Sequence, residues 1–93
     1  MTIVEATTKY GLPQHSTPVD LECRYSKVLT FGDKILVAGR FNTGKGKLTN
    51  LYFGAAYDFL FSDHTCDGEI LLRAVSEVEF EDDGHAIAWA MKQ

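Results

Sequence analysis

Apolar and polar residues alternate along most of this chain, a pattern typical of β-strands with one face toward a core. Residues 19–26 alternate in this way, and residues 35–41 resume the alternation after Phe31-Gly32-Asp33-Lys34. Glycine and aspartate tolerate the backbone conformations of a tight turn. The pattern therefore predicts a hairpin, with residues 19–26 as the first strand and residues 35–41 as the return strand.

A second alternating run, residues 51–61, is rich in aromatic side chains. Aromatic residues favour a strand, and Gly54 would fit a bulge within it. The run is also apolar on all sides, so a buried helix that begins at a Thr49 or Asn50 cap is the competing interpretation. Strand and helix both stay open at this stage.

The C-terminal third also alternates. Residues 70–80 predict a long strand, Asp82-Asp83-Gly84 a hairpin turn, and residues 85–91 a last strand. Residues 2–10 are expected to add an edge strand. The predicted class is mainly β: a small antiparallel sheet or barrel of five or six strands, with one helix near 49–61 as the alternative. That helix would give the strand and helix order of an OB-like barrel.

Length and composition indicate one domain over residues 1–93. A hydrophobic content of 45% is sufficient for a core. The N-terminus has no basic segment followed by an apolar run, and no stretch is long enough to span a bilayer. Two cysteines, Cys23 and Cys66, are too few for a disulfide framework, so we expect a cytoplasmic protein with buried thiols.

Charge is divided unequally between the halves of the chain. Residues 1–50 carry seven Lys and Arg against four Asp and Glu, a formal +3, whereas residues 51–93 carry two against nine, a formal −7. Acidic side chains concentrate in residues 77–83, where alternation would place several on one strand face. Such a row can bind a basic partner, or it can simply keep an exposed strand face solvated. The acidic residues of this predicted site are Glu77, Glu79, Glu81, Asp82 and Asp83.

Two loops carry further candidate chemistry. Lys45 and Lys47 form a basic hairpin tip that could contact an acidic partner, but the spacing of a phosphate-binding loop is absent. The second loop contains potential metal ligands without the paired cysteines or histidines typical of zinc sites. The sequence therefore predicts no metal, no cofactor and no catalytic residues. The potential metal ligands in the second loop are Asp63, His64, Cys66 and Asp67.

Part of the chain resembles a strand pair of the flavin reductase-like split barrels. The matching residues are Ser16-Thr17-Pro18-Val19-Asp20-Leu21-Glu22-Cys23-Arg24, Val28, Phe31-Gly32-Asp33 and Leu36-Val37-Ala38-Gly39-Arg40. The resemblance implies a β-barrel and, through the family, flavin binding. In the family, flavin contacts come mostly from segments upstream of this pair, so no flavin-binding residue can be carried over. Residues 43–93 show no match.

These observations favour a non-catalytic protein-interaction or inhibitory module. Its acidic strand face, residues 77–83, would meet a basic surface on a partner such as a nucleic-acid-binding protein. The small size would suit a regulatory protein of a phage or mobile element. Direct nucleic-acid binding and membrane association are not expected, whereas a homo-oligomer is compatible with the charge division. The alternative is a truncated flavin- or small-ligand-binding barrel that acts as a dimer.

Overall fold

A computed structural model of the chain describes residues 2–25, 27–42, 48–60 and 68–93. Across these residues, five antiparallel strands form one sheet and three helices pack on it. The predicted class, a mainly β protein with a small antiparallel sheet, is confirmed. The elements are α1 (Ile3–Tyr10), β1 (His15–Ser16), α2 (Pro18–Arg24), β2 (Lys27–Phe31), β3 (Lys34–Asn42), β4 (Leu48–Phe59), β5 (Ile70–Val75) and α3 (Asp83–Met91).

The strand order in the sheet is β1-β5-β4-β3-β2. Strands β2 to β5 are neighbours in the same sequence as along the chain, as short connections favour. The two-residue strand β1 pairs with the far side of β5. The edges of the described sheet are therefore β1 and β2, and of the two predicted forms the protein adopts the sheet.

Each face of the sheet has its own core. Helices α1 and α2 cover one face, and α3 covers β3 and β4 on the other. Alternation along the strands supplies both cores, because successive side chains point to opposite faces. The first core contains Ala6, Tyr10, Leu12, Leu21, Ile35, Val37, Phe41, Phe53, Ala55, Tyr57, Ile70 and Leu72. The second core contains Leu36, Ala38, Ala56, Ala86, Ile87 and Ala90.

The predicted first strand of the hairpin, residues 19–26, is wrong. Most of this segment lies in α2, which begins after the N-cap Thr17, whose side chain accepts a hydrogen bond from the Asp20 N–H. Pro18 occupies the first turn, where its missing N–H costs nothing. The buried residues Pro18 and Leu21 are three positions apart, which is the helical spacing. The turn and return strand are confirmed, and β2 is the strand that precedes the turn.

The aromatic run that permitted two interpretations is a strand. β4 spans Leu48–Phe59, so the alternative of a helix near 49–61 is wrong over the described residues. The predicted bulge at Gly54 is also wrong, since the irregularity in the pairing of β4 with β5 falls between Ala56 and Tyr57. Gly54 instead marks a place where α3 lies very close to the sheet.

The two remaining predicted strands are helices. In the segment 2–10, Ile3–Tyr10 forms α1 with Thr2 as N-cap, and residues 85–91 lie within α3, with Asp82 as N-cap. Asp82-Asp83-Gly84 therefore begins a helix and closes no hairpin. In α3 the buried positions 86, 87 and 90 follow the helical period, and the alanines allow close contact with the sheet.

Two smaller expectations concern the membrane and the thiols. No helix in the described parts of the chain is long and apolar enough to span a bilayer. Cys23 lies on α2 with its thiol exposed, so the expectation of a buried thiol is wrong there. Cys66 lies outside the described residues.

Candidate interaction surface

The acidic run begins where β5 ends. Ser76 follows the strand and is fully buried. Its N–H donates to the carbonyl oxygen of Gly54 at 2.8 Å, and its Oγ accepts from the Gly54 N–H at 3.0 Å. Both polar groups of the Gly54 backbone are thereby bonded to a single residue. These two hydrogen bonds hold the start of the acidic run against β4.

The chain then leaves β4 and returns to it at Phe80. Phe80 exchanges two backbone hydrogen bonds with Tyr52, each of 2.8 Å. Residues 77–79 lie between these two attachments and belong to no strand. We call residues 77–83 the acidic bulge. The predicted continuous strand over residues 70–80 is therefore wrong beyond Val75.

The packing of Phe80 accounts for this path. Phe80 is partly buried against the core beneath α3, against which Tyr52 and Trp89 also pack. Val78, which alternation would place on the same face as Phe80, is 57% exposed. Because the alternation is broken, Glu77, Glu79 and Glu81 do not form a row on one strand face. That part of the predicted site is corrected.

One acidic side chain of the bulge is used within the fold. The Lys9 ammonium donates to Glu79 Oε1 at 3.0 Å, and this hydrogen bond raises the pKa of Lys9. The same ammonium lies 5.2 Å from the ring centroid of Tyr10 and 5.9 Å from that of Phe41. Glu79 therefore links α1 to the bulge, and its charge is partly compensated.

A second acidic side chain caps a helix. Asp82 Oδ1 accepts from the His85 N–H at 2.7 Å, and Oδ2 lies 2.7 Å from His85 Nδ1. The bonds from the backbone and the ring of His85 lower the pKa of Asp82. Asp83 follows in the first turn of α3, where the helix dipole favours a negative charge. The end of the bulge is thereby held in one conformation.

Two further acidic side chains of the bulge lie at the protein surface. Glu77 and Glu81 are both exposed, on either side of the attachment at Phe80. The basic loop residues Lys45 and Lys47 lie outside the described residues, as does the loop of Asp63, His64, Cys66 and Asp67. Within the described ranges, no group of three metal-ligating side chains and no ligand-sized pocket is found. The acidic bulge is thus the predicted site whose geometry can be described.

Sequence reasoning missed the residues that hold the bulge in place. Ser76, Tyr52 and Lys9 make the decisive contacts, and they come from three separate parts of the chain. Nothing local signals the contact of Lys9 with Glu79. The cap at Asp82 did carry a signal, because aspartate before an alanine-rich segment is a typical helix start.

Comparison with known families gives one match. The family model described as nucleotide modification associated domain 4 matches residues 12–93. The chain belongs to this family. The matched region of this nucleotide modification associated domain includes all five strands, α2, α3 and the acidic bulge, and it begins after α1. No curated protein and no solved structure matches the chain. The resemblance of residues 16–40 to the flavin reductase-like split barrels stays a prediction.

Proposed function

We propose that this protein is a non-catalytic interaction or inhibitory module that serves a nucleotide-modification system. The family supports the link to nucleotide modification, and the acidic bulge is the proposed binding surface. The observation that carries the proposal is the attachment of the bulge at Gly54, at Tyr52 and at the start of α3. A charged surface held in one conformation loses little conformational entropy on binding.

The chemistry of the bulge favours a basic protein as partner. Residues 51–93 carry a formal charge of −7, so a nucleic-acid backbone would be repelled by this half of the chain. Proteins that handle nucleic acids carry basic surfaces, and an acidic bulge can occupy such a surface in place of phosphates. This mode would inhibit or regulate the partner. The small size and the family also fit a phage or mobile-element origin.

The test compares charge reversal inside and outside the bulge. Glu77→Lys/Glu81→Lys reverses two exposed charges of the bulge, and Glu22→Lys/Glu69→Lys reverses two exposed charges elsewhere. The two variants have the same net charge. Proteins retained from a host extract by the wild type are identified by mass spectrometry, and the best binder is purified for titration calorimetry.

We expect a nucleic-acid-handling protein whose Kd rises steeply with ionic strength, since the contact is electrostatic. The variant in the bulge should bind at least ~10-fold more weakly, and the control variant should keep its affinity. Equal affinity of both variants would refute the role of the bulge. Direct binding of a short single-stranded DNA by the purified chain would refute the choice of a protein partner.

A further inference from the structure

The sheet ends at β2, and this edge is apolar. Leu29 is 42% exposed and Phe31 is 48% exposed. Leu29 pairs with Leu36, which lies in the core beneath α3, so Leu29 and Phe31 belong to the same face of the sheet as that helix. Helix α3 packs over β3 and β4. Two large apolar side chains thus lie beside it on the edge strand.

The pairing of β2 with β3 shows which backbone groups face outward. The strands are joined by the two-residue turn Gly32-Asp33, with φ of +62° at Gly32. The closing pair of such a turn, Phe31 and Lys34, exchanges both of its hydrogen bonds. Alternation along the ladder then directs the N–H and C=O groups of Val28 and Thr30 away from β3. Among the described residues, no strand lies beyond β2, so these groups can pair with a further strand.

We propose that a second copy of this chain pairs antiparallel with β2, about a two-fold axis at Leu29. In this register Val28 bonds to Thr30 of the other copy, and Thr30 to its Val28. Leu29 then faces Leu29, and all residues of the strand are paired. The contact is self-complementary, as a two-fold dimer requires.

The order of side chains along the edge is what favours a second copy over another extended segment. Lys27, Leu29 and Phe31 share one face, and Asp33 follows in the exposed turn. Antiparallel pairing places the apolar residues at the centre. It sets the alkyl stem of Lys27 against Phe31 of the other copy and brings its ammonium toward that copy's Asp33. Opposite charges thus flank the apolar centre at both ends.

The centre of β2 has none of the features that prevent another strand from pairing with an edge. Natural edge strands are commonly protected by proline, by a bulge or by a central lysine. β2 reads Lys-Val-Leu-Thr-Phe and pairs regularly with β3. The single charged residue of β2 is Lys27 at its end, and in the proposed register this side chain faces Phe31 of the other copy. The dimer would place one sheet continuously through both copies.

Disulfide trapping tests the register. In a Cys23→Ser/Cys66→Ser background, Leu29→Cys should give a covalent dimer on mild oxidation. Facing residues that are not hydrogen-bonded have Cα atoms about 4.5 Å apart, which suits a disulfide. Phe31→Cys and Lys27→Cys should each form no disulfide-linked dimer alone and should cross-link when mixed. Self-linking of Phe31→Cys as fast as that of Leu29→Cys would overturn the register.

Sedimentation of the full chain over a range of concentrations tests the dimer itself. Thr30→Pro removes only an outward N–H, so it should keep the fold by circular dichroism and yield a monomer. Thr30→Val keeps the N–H and should keep the dimer. High salt and the bulge variant Glu77→Lys/Glu81→Lys should also leave the dimer intact. This result would distinguish the dimer contact from partner binding through the acidic bulge. A wild-type monomer at every concentration would overturn the proposal.

Discussion

The backbone of Gly54 and the carbonyl oxygen of Ala86 lie so close together that no side chain fits between them. A Cβ at Gly54 would be 2.6 Å from that oxygen and 3.1 Å from Cε3 of Trp89. Gly54 is therefore the position at which α3 rests on β4. Its N–H and C=O also bind Ser76, so the same residue positions the helix and the start of the acidic bulge.

Gly54→Ala should destabilise the protein by about 1–3 kcal/mol, because the added methyl group must displace helix backbone. Urea denaturation monitored through Trp89 fluorescence measures the loss. Gly84→Ala is the matched control, since its Cβ would meet only a side-chain atom, Asp82 Oδ1, at 3.3 Å. An equal loss in both variants would contradict the contact between α3 and β4.

Ser76→Ala removes the hydroxyl that binds the Gly54 N–H at 3.0 Å. The buried N–H would be left without this partner, at a cost of about 1–3 kcal/mol. Because the same bond begins the bulge, we also expect faster hydrogen exchange at the amides of Phe80 and Tyr52. Ser76→Thr keeps the hydroxyl and is the control. Unchanged exchange in Ser76→Ala would show that the bulge is held by its other attachments.

The acid response of stability should depend on Asp82. The folded-state pKa of Asp82 is lowered by the bonds from His85, so its contribution is present above the ordinary carboxyl pKa and is lost as the pH falls through the lowered value. Asp82→Asn keeps a cap but has no charge to lose. Between about pH 7 and about pH 3, the urea midpoint should fall more in the wild type than in Asp82→Asn.

Asp83→Asn is the control for this titration, because it removes a charge one position beyond the cap. Its acid response should follow that of the wild type. If Asp82→Asn and the wild type lost stability in parallel, the cap bonds would not contribute to the pH dependence.

Alkaline stability should depend on Tyr57. This side chain is fully buried, and its hydroxyl donates to the carbonyl oxygen of Pro13 at 2.6 Å. Burial raises its pKa well above the ordinary value of 10. The contribution of the neutral phenol is therefore complete below about pH 10 and is lost as the pH rises toward the raised pKa, since the unfolded chain ionises first.

Tyr57→Phe should cost about 0.5–1.5 kcal/mol at neutral pH, the value of one hydrogen bond, and should reduce the loss of stability above about pH 10. Denaturation curves across that range measure both effects. Tyr52→Phe is the comparison, since Tyr52 is only partly buried. A steeper alkaline loss in Tyr57→Phe than in the wild type would contradict the assigned sign.

Several features could be predicted because their signals are local. The turn at Gly32, the return strand over residues 35–41 and the antiparallel order of β3, β4 and β5 follow from turn chemistry, alternation and short connections. The concentration of acidic residues over 77–83 is also visible in the sequence, and its role as a binding surface stays a prediction. Each of these depends on neighbouring residues alone.

The helices α2 and α3 were predicted as strands because both segments are too short for periodicity to decide. A segment of seven to nine residues with apolar side chains at every second position is compatible with the period of a strand or of a helix. Only the residues that are buried in the structure distinguish the two. In α2 that set is Pro18 and Leu21, and in α3 it is Ala86, Ile87 and Ala90. The N-caps Thr17 and Asp82 are signals of a helix start, but the alternation around them favoured strands.

Sequence pattern alone was sufficient for the class of this protein, its turn and its charge division, because these depend on the order of residue types. The faces that the helices cover, the break after Val75 and the shape of the acidic bulge came from contacts between distant segments. The contacts of Lys9 with Glu79, of Gly54 with Ala86 and of Tyr52 with Phe80 exist only in the tertiary structure. Burial and backbone bonding across the sheet then outweigh local alternation.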